Sequence, residues 1–194
     1  MKNKSGFTIV ELLVAIVVIG ILSSIAVVAY RGVQDQAVNT KMLSSFDTIE
    51  KGLRLYVQEH GEYPNPTDIT TPNNTFICIQ PSSSGWPARD GLTSSQCGIM
   101  PGSDVEYSAV VQQELSTVLR KIPDTSDITA ILEDVTSRGI YLYYMGGPNA
   151  AAGYPQGRIA LLYFVRGDQP CGRGNKIANP AGDATVTSCG LILD

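Results

Sequence analysis

The segment FTIVELLVAIVVIGILSSIAVVAY, residues 7–30, decides the architecture of this 194-residue chain. Its last 19 residues, 12–30, carry no charge. At about 1.5 Å per residue, a helix of that length spans roughly 28 Å, close to the thickness of the hydrocarbon core of a bilayer. Lys2 and Lys4 precede the segment and acidic residues dominate after it. The positive-inside rule therefore predicts a single pass with the larger C-terminal part outside.

Glu11 is the exception within this apolar segment. A carboxylate near the centre of a bilayer costs roughly 2.5–3.5 kcal/mol. Glu11 lies about one helical turn from the start of the segment, near the headgroups, where the cost is tolerable. An acidic residue at this position still requires a functional reason.

After Tyr30 the apolar pattern becomes periodic, with spacings of four and three residues that form one stripe along a helix. The stripe consists of Met42, Phe46, Ile49, Leu53 and Tyr56. We predict one helix from Phe7 to His60, with Gly61 as its C-cap and Pro64 beyond it. Such a helix is longer than a compact domain needs, so its apolar half is expected to protrude.

The remaining residues predict an α+β head in which a small antiparallel sheet packs on this stripe. Aromatic and β-branched runs predict strands at 75–80, 139–146, 158–167 and 184–193, with the middle two forming a hairpin. Alternation along the first hairpin strand places Tyr141 and Tyr143 on one face and Leu142 and Tyr144 on the other. Ser103 and Glu106 predict a capping box that opens a second helix, and residues 127–136 predict another helical turn or two.

Four cysteines, Cys78, Cys97, Cys171 and Cys189, fit two disulfides formed in an oxidising compartment. Three pairings are open. We favour Cys78 with Cys97 and Cys171 with Cys189, because each pair closes a short local loop rich in Gly, Ser or Pro. Zinc is set aside, because the chain has no Cys-x-x-Cys spacing and one histidine.

Residues 1–31, MKNKSG|FTIVELLVAIVVIGILSSIAVVAYR, resemble the N-terminus of type IV pilins and pseudopilins, where the bar marks the family's cleavage point. The likeness includes a short basic leader, Gly6 before the cut, Phe7 after it, and Glu11 as the fifth residue of the mature chain. Beyond residue 31 the resemblance is architectural: a long helix, an antiparallel sheet and a Cys-closed loop near the C-terminus.

The resemblance implies a leader at 1–6, a transmembrane or filament-core half of the helix at 7–30, an amphipathic half at 31–62 and a globular head at 63–194. A prepilin peptidase would remove the leader and N-methylate Phe7. The precursor would cross the inner membrane once, in contact with lipid, with its head outside. The mature subunit would then join a helical filament of its own copies and sister minor pilins, built by a membrane platform and an ATPase. The expected function is a surface pilus serving adhesion, twitching motility or DNA uptake.

Within such a filament, Glu11 has a physical role. The amine of Phe7 in one subunit and Glu11 of a neighbour would each offset the desolvation of the other. Removing one partner of a buried pair costs roughly 3–5 kcal/mol, so the pair sets axial register. Val28 occupies a position where many type IV pilins have proline. Loosening of the helix in the filament is therefore expected near Gly20, Ser23 and Ser24 rather than as a defined break.

Other interpretations remain open at this stage. Within the same family, the chain fits a pseudopilin of a type II secretion system. From other classes, it fits a membrane-anchored binding domain that does not polymerise, or a secreted enzyme. The N-terminus can also be compared with a cleaved signal peptide ending near Ala29, but the continuing helix and Glu11 argue against removal at that site.

The sequence indicates no enzyme, cofactor or metal. His60 is the single histidine and lies at a predicted helix end, which favours a capping role. Asp168, Asn175, Asn179 and Asp183 follow no regular calcium-loop spacing, so turn formation explains them better. "CGRGNK", residues 171–176, lacks the phosphate-loop spacing and indicates a cysteine-closed turn.

A nucleic-acid partner has no support from the overall charge. Removing Lys2 and Lys4 from the 14 basic residues leaves 12 against 18 acidic ones, which makes the mature chain a poor binder of polyanions. Arg166, Arg173 and Lys176 are compatible with local contact to phosphate, but scattered surface cations are the simpler interpretation.

Overall fold

The computed structural model describes residues 8–69, 76–79, 97–99, 105–125, 129–132, 135–145, 158–177 and 186–193. These residues form the helices α1 (Ile9–His60) and α2 (Ala109–Val118). The strands are β1 (Phe76–Ile79), β2 (Gly98–Ile99), β3 (Val105–Glu106), β4 (Thr129–Leu132), β5 (Val135–Arg138), β6 (Ile140–Met145), β7 (Arg158–Arg166), β8 (Asn175–Ile177) and β9 (Val186–Leu193). The chain divides into two units, Met1–Ala37 and Val38–Asp194. We call residues 9–37 the anchor segment and residues 38–193 the head.

The prediction of one long N-terminal helix is confirmed, since α1 contains 52 residues. It ends where Gly61 adopts a φ of 82° and donates its N–H to the Val57 carbonyl at 2.7 Å. The left-handed conformation is accessible to glycine at little cost, which explains the end of the helix at this residue. His60 occupies the last turn, with its ring stacked on Tyr56 at 4.0 Å and Nδ1 3.1 Å from the Tyr56 carbonyl oxygen.

The predicted apolar stripe of α1 forms the centre of the head. All five of its residues, from Met42 to Tyr56, are at most 6% exposed. The ring of Phe46 packs on that of Tyr163 in β7, with centroids 4.4 Å apart. Burial of these side chains contributes to the hydrophobic stabilisation of the head.

The main sheet has the order β3-β1-β6-β7-β9-β8, and all its pairs are antiparallel except β1 with β3. The predicted hairpin of β6 and β7 and the predicted strands β1 and β9 are confirmed. The predicted alternation in β6 is also confirmed. Phe76 contacts the rings of both Tyr141 and Tyr143, whereas Tyr144 donates its hydroxyl to the Pro64 carbonyl at 2.5 Å.

The prediction of helical turns at 127–136 is wrong. β4 and β5 form an antiparallel hairpin there, with Thr129 opposite Arg138 and Leu132 opposite Val135, and β2 pairs with the other edge of β5. β-Branched residues are frequent in this segment, and they fit a pleated sheet better than a helix.

The predicted start of the second helix is also wrong. Val105 and Glu106 form β3, which pairs with Phe76 and Ile77 of β1. α2 begins later, with Ser108 as its N-cap, whose hydroxyl accepts from the Val111 N–H at 3.1 Å. Ser103 lies outside the described residues. Tertiary pairing with β1 therefore overrides the local capping pattern around Glu106.

The structure contains both disulfides of the favoured pairing. Cys78 and Cys97 have Cα atoms 5.9 Å apart, and Cys171 and Cys189 have Cα atoms 5.7 Å apart. The first disulfide connects β1 to the residue that precedes β2, and the second connects the loop before β8 to β9. The chain turns through residues 172–174, as predicted for the cysteine-closed segment, and then enters β8.

Candidate functional site

The anchor segment exposes an apolar surface along α1. Its large apolar side chains are between 48% and 86% exposed; they are Ile9, Val10, Leu12, Leu13, Val14, Ile16, Val17, Val18, Ile19, Ile21, Leu22, Ile25, Val27, Tyr30 and Val33. Among the described residues, α1 is the one helix long and apolar enough to cross a membrane, with a mean hydropathy of 3.0 over its most apolar window. An exposed apolar surface of this extent requires lipid or a protein partner to cover it.

Glu11 and Thr8 form a reciprocal capping box at the start of α1. The Thr8 N–H and the Thr8 hydroxyl each donate to Glu11 Oε2 at 2.8 Å, and the Glu11 N–H donates to Thr8 Oγ1 at 3.3 Å. These bonds satisfy backbone donors that the first turn of a helix leaves without an intrahelical partner. Glu11 therefore fixes the start of α1 within a single chain.

The sequence interpretation missed this second role of Glu11. The available signal was Thr-x-x-Glu at residues 8–11, directly before an apolar run. The hydrogen bonds show that its carboxylate also accepts two local donors.

The predicted cleavage residues, Gly6 and Phe7, lie outside the described residues, and Phe7 is also the second predicted assembly residue. α1 continues without interruption through Gly20, Ser23, Ser24 and the position of Val28. The hydroxyl of Ser24 donates to the Ile21 carbonyl at 2.7 Å and so remains within its own helix. Loosening of the helix in a filament stays a prediction.

Two of the four acidic and amide residues considered for calcium, Asp168 and Asn175, lie in the described part of the head. Asp168 forms an ion pair with Lys176, and the hydrogen bond between them, together with the positive charge of Lys176, lowers the pKa of Asp168. Asn175 belongs to β8, while Asn179 and Asp183 lie outside the described residues. In the ranges that the structure describes, no group of three or more His, Cys, Asp or Glu side chains is arranged to hold a metal ion.

The three cations considered for phosphate contact have separate surroundings. Arg173 pairs with Glu50 of α1 at 3.0 Å, and Lys176 pairs with Asp168. The main chain of Arg166 is held by Asn39 of α1. Two of the three charges are therefore already balanced by a carboxylate within the head.

The family described as the prokaryotic N-terminal methylation motif matches residues 1–27. Type II secretion system core protein G of Klebsiella michiganensis is 35% identical over 90 residues, which cover 46% of this chain and 63% of that protein. The chain is similar to proteins of the type IV pilin-like family. Members of this family are structural subunits, and an N-terminal apolar helix behind a prepilin leader indicates a membrane-anchored precursor.

Two further relatives of this pilin-like chain match over a shorter part of their length. Core protein G of Pectobacterium carotovorum subsp. carotovorum is 30% identical over 86 residues, or 44% of this chain and 55% of that protein. Prepilin peptidase-dependent protein D of Escherichia coli strain K12 is 39% identical over 61 residues, or 31% of this chain and 42% of that protein. The chain thus spans about half the length of the curated relatives it matches. No solved structure is significantly similar to it.

Proposed function

We propose that this pilin-like chain is a filament subunit of a type II secretion pseudopilus. A prepilin peptidase cleaves between Gly6 and Phe7 and methylates the new amine, and the anchor segment then leaves the lipid to pack against other copies. Core protein G of type II secretion systems recurs among the relatives from several genera, which favours this assembly over the surface pilus expected from the sequence.

The exposed apolar surface of the anchor segment carries this proposal. One helix surrounded by apolar side chains suits lipid before assembly and the interior of a helical filament afterwards. Moving from lipid to a protein interior keeps these side chains out of water. The head is then carried on the filament, and it needs no catalytic group for this work.

Glu11 supports polymerisation through its second carboxylate oxygen. Among the described residues, both Thr8 donors reach Oε2. We assign Oε1 to the Phe7 amine of a neighbouring subunit. The capping box also holds the carboxylate at a fixed place at the start of α1. Pairing with the amine would make burial of both charges tolerable and would set the axial register between subunits.

The partners of this assembly follow from the proposed process. They are copies of this chain and sister minor pilins, a prepilin peptidase, an inner-membrane platform and an assembly ATPase. Processing is tested by mass spectrometry of the mature chain, which should begin at a methylated Phe7. A chain that begins at Met1 would indicate a non-polymerising membrane anchor, and one that begins near Tyr30 would indicate a signal peptide.

Three variants separate the capping role of Glu11 from its charge. Glu11→Gln keeps a side chain that fits the capping box but removes the charge, whereas Thr8→Ala removes the cap and keeps the charge. We expect Glu11→Gln to be inserted and processed normally but excluded from filaments, with Thr8→Ala retained in them. Glu59→Ala, an exposed carboxylate at the other end of α1, is the matched control. Normal filaments from Glu11→Gln would remove the proposed charge pairing.

The second candidate is a subunit of a surface type IV pilus, and the similarity to prepilin peptidase-dependent protein D supports it. Deleting the gene in its host distinguishes the two assemblies. A pseudopilin is required for release of secreted proteins into the medium, whereas a pilus subunit is required for filaments sheared from the cell surface. Loss of surface filaments with unchanged secretion would favour the pilus.

A further inference from the structure

Glu50 is a carboxylate of α1 that the head buries almost completely. Its side chain is 1% exposed, and it lies among the apolar residues of the stripe, between Ile49 and Leu53. Arg54, one turn further along α1, donates Nε–H to Oε1 at 2.8 Å. The other oxygen, Oε2, forms an ion pair with Arg173 Nη1 at 3.0 Å. The N–H of Arg173 does not point at Oε2 well enough to count as a hydrogen bond. Glu50 therefore receives one cation from its own helix and one from a distant loop.

The loop that supplies Arg173 is closed by the Cys171–Cys189 disulfide and lies against α1. The Tyr163 hydroxyl donates to the Arg173 carbonyl at 3.0 Å. At Gly172 an added Cβ would be 2.9 Å from a methyl group of Leu43 in α1. We call residues 171–174 the disulfide loop. Its close fit brings the Arg173 guanidinium to Glu50 and covers this part of α1.

The two disulfides of the head differ in their access to solvent. Cys78 and Cys97 are both 0% exposed. Cys189 is also buried, but Cys171 is half-buried and is followed by the exposed residues Gly172 and Arg173. The Cys171–Cys189 disulfide is therefore the more accessible of the two to a small thiol reductant, and the Cys78–Cys97 disulfide requires a larger opening of the head.

We propose that the Cys171–Cys189 disulfide and the Glu50–Arg173 ion pair form a redox-sensitive switch. A dithiol reductant attacks Cys171 Sγ as a thiolate, forms a mixed disulfide and releases the Cys189 thiolate. Its second thiol then displaces Cys171. Two electrons and two protons pass to the protein, which gains two thiols, and the reductant becomes a cyclic disulfide. Without the cross-link, the disulfide loop moves away from α1, Arg173 leaves Glu50, and the part of α1 from Leu43 to Glu50, about two helical turns, opens to water.

Because the ion pair is lost together with the cross-link, this part of α1 opens more than it would if the cross-link alone were lost. A disulfide acts mainly by restricting the unfolded chain. Here it also holds the cation that offsets a buried carboxylate, and removing one partner of such a pair is strongly unfavourable. Arg54 stays with Glu50 because it belongs to the same helix, so the reduced head keeps part of the compensation and opens locally. In an oxidising compartment the switch is closed.

The test is hydrogen exchange of the full chain in detergent micelles, with and without dithiothreitol, read by mass spectrometry on the α1 amides between Leu43 and Glu50. Alkylation of new thiols should label Cys171 and Cys189 before Cys78 and Cys97. In the wild type, reduction of the Cys171–Cys189 disulfide should raise the equilibrium constant for local unfolding at these amides about tenfold. In Arg173→Gln, the same amides should already exchange faster when oxidised, and reduction should add less than about threefold.

Arg173→Gln is the informative variant, because the Arg173 side chain is 51% exposed and its replacement should leave the fold intact. Glu50→Gln removes the charge of the other partner of the ion pair. Cysteine-to-serine replacement of Cys171 and Cys189 together should reproduce the effect of the reductant. Equal responses of the wild type and Arg173→Gln to reduction would overturn the switch. Labelling of Cys78 and Cys97 before the other pair would also overturn it.

Discussion

At the scale of single residues, two glycines with a positive φ differ in the room that the head leaves for a side chain. Gly174 adopts a φ of 86°, and a Cβ added there would clash with the Gly190 carbonyl oxygen in β9. Gly61 adopts nearly the same conformation, with a φ of 82°, but an added Cβ would meet nothing within 4 Å. The two positions thus separate the cost of backbone conformation from the cost of a steric clash.

Replacing these glycines by alanine should have different effects. Gly61→Ala should cost about 1 kcal/mol, since alanine must adopt the left-handed conformation without any clash. Gly174→Ala should cost at least about 3 kcal/mol, because β8 and the disulfide loop must move away from β9 as well. Denaturant unfolding of the two variants checks this difference. Equal losses would show that the approach of Gly174 to Gly190 does not limit the fold.

At the scale of elements, the start of α2 is held by a residue far from it in sequence. Asp68 Oδ1 accepts from the Ser108 hydroxyl at 2.6 Å, and Oδ2 accepts from the Ala109 and Val110 N–H groups at 2.7 and 3.4 Å. Desolvation raises the pKa of Asp68, but these hydrogen bonds together outweigh it, and the pKa lies below the ordinary value of 3.8. The carboxylate form therefore stabilises the junction between the segment after α1 and α2.

This arrangement predicts sensitivity of the head to acid. Because the pKa of Asp68 is lower in the folded than in the unfolded state, its stabilisation is complete above the ordinary value and is lost as the pH falls through the folded-state pKa. Asp68→Asn should reduce the steepness of acid unfolding below about pH 4. Asp168→Asn is the control, since its carboxylate is fully exposed and screened by solvent. An unchanged acid profile for Asp68→Asn would contradict this role.

Asn39 joins α1 to the end of β7. Its Nδ2 donates to the Arg166 carbonyl at 2.9 Å, and its Oδ1 accepts from the Arg166 N–H at 2.7 Å. Asn39→Ala should cost about 1–3 kcal/mol, because two partly buried main-chain groups lose their partners. Thr48→Ala on the same helix removes only a hydroxyl that bonds the Ser44 carbonyl at 2.9 Å, and should cost less than about 0.5 kcal/mol. Thermal unfolding of both variants provides the comparison.

At the scale of the whole molecule, tyrosines connect the helices of the head to its sheet. Burial raises the pKa of Tyr144 far above its ordinary value of 10.0, and the charge of Glu114 raises it further. Burial likewise raises the pKa of Tyr56 and of Tyr163. These three residues belong to β6, α1 and β7. Each hydroxyl must therefore stay protonated for its element to remain packed in the head.

The head should consequently lose stability in alkali. Above about pH 10 the unfolded chain releases tyrosine protons that the folded head retains, so the free energy of unfolding decreases as the pH rises. Ultraviolet absorbance of tyrosinate should show some tyrosines ionising only when circular dichroism reports unfolding. Tyr144→Phe should weaken this alkaline dependence, although it also loses the bond to Pro64. Ionisation of every tyrosine near pH 10 with the fold intact would contradict the prediction.

The sequence by itself determined the long helix, its apolar anchor segment and the stripe that forms the core. Those features depend on local periodicity and on the absence of proline, which act along one continuous segment. It also indicated the hairpin of β6 and β7, the alternation of the tyrosines in β6 and the pairing of the cysteines. In each case the pattern lies within the element or within a short loop.

Only the tertiary structure decided where α2 begins, that residues 129–138 form a hairpin, and which partners bind Glu50, Asp68 and Asn39. Glu106 carried a capping pattern, but its backbone pairs with a strand about thirty residues away in sequence. The sequence around Glu50 does not indicate that this residue is buried, because one of the two cations that compensate its charge comes from a loop near the C-terminus. Contacts between segments far apart in the chain depend on how elements pack, and local residue patterns do not contain that information.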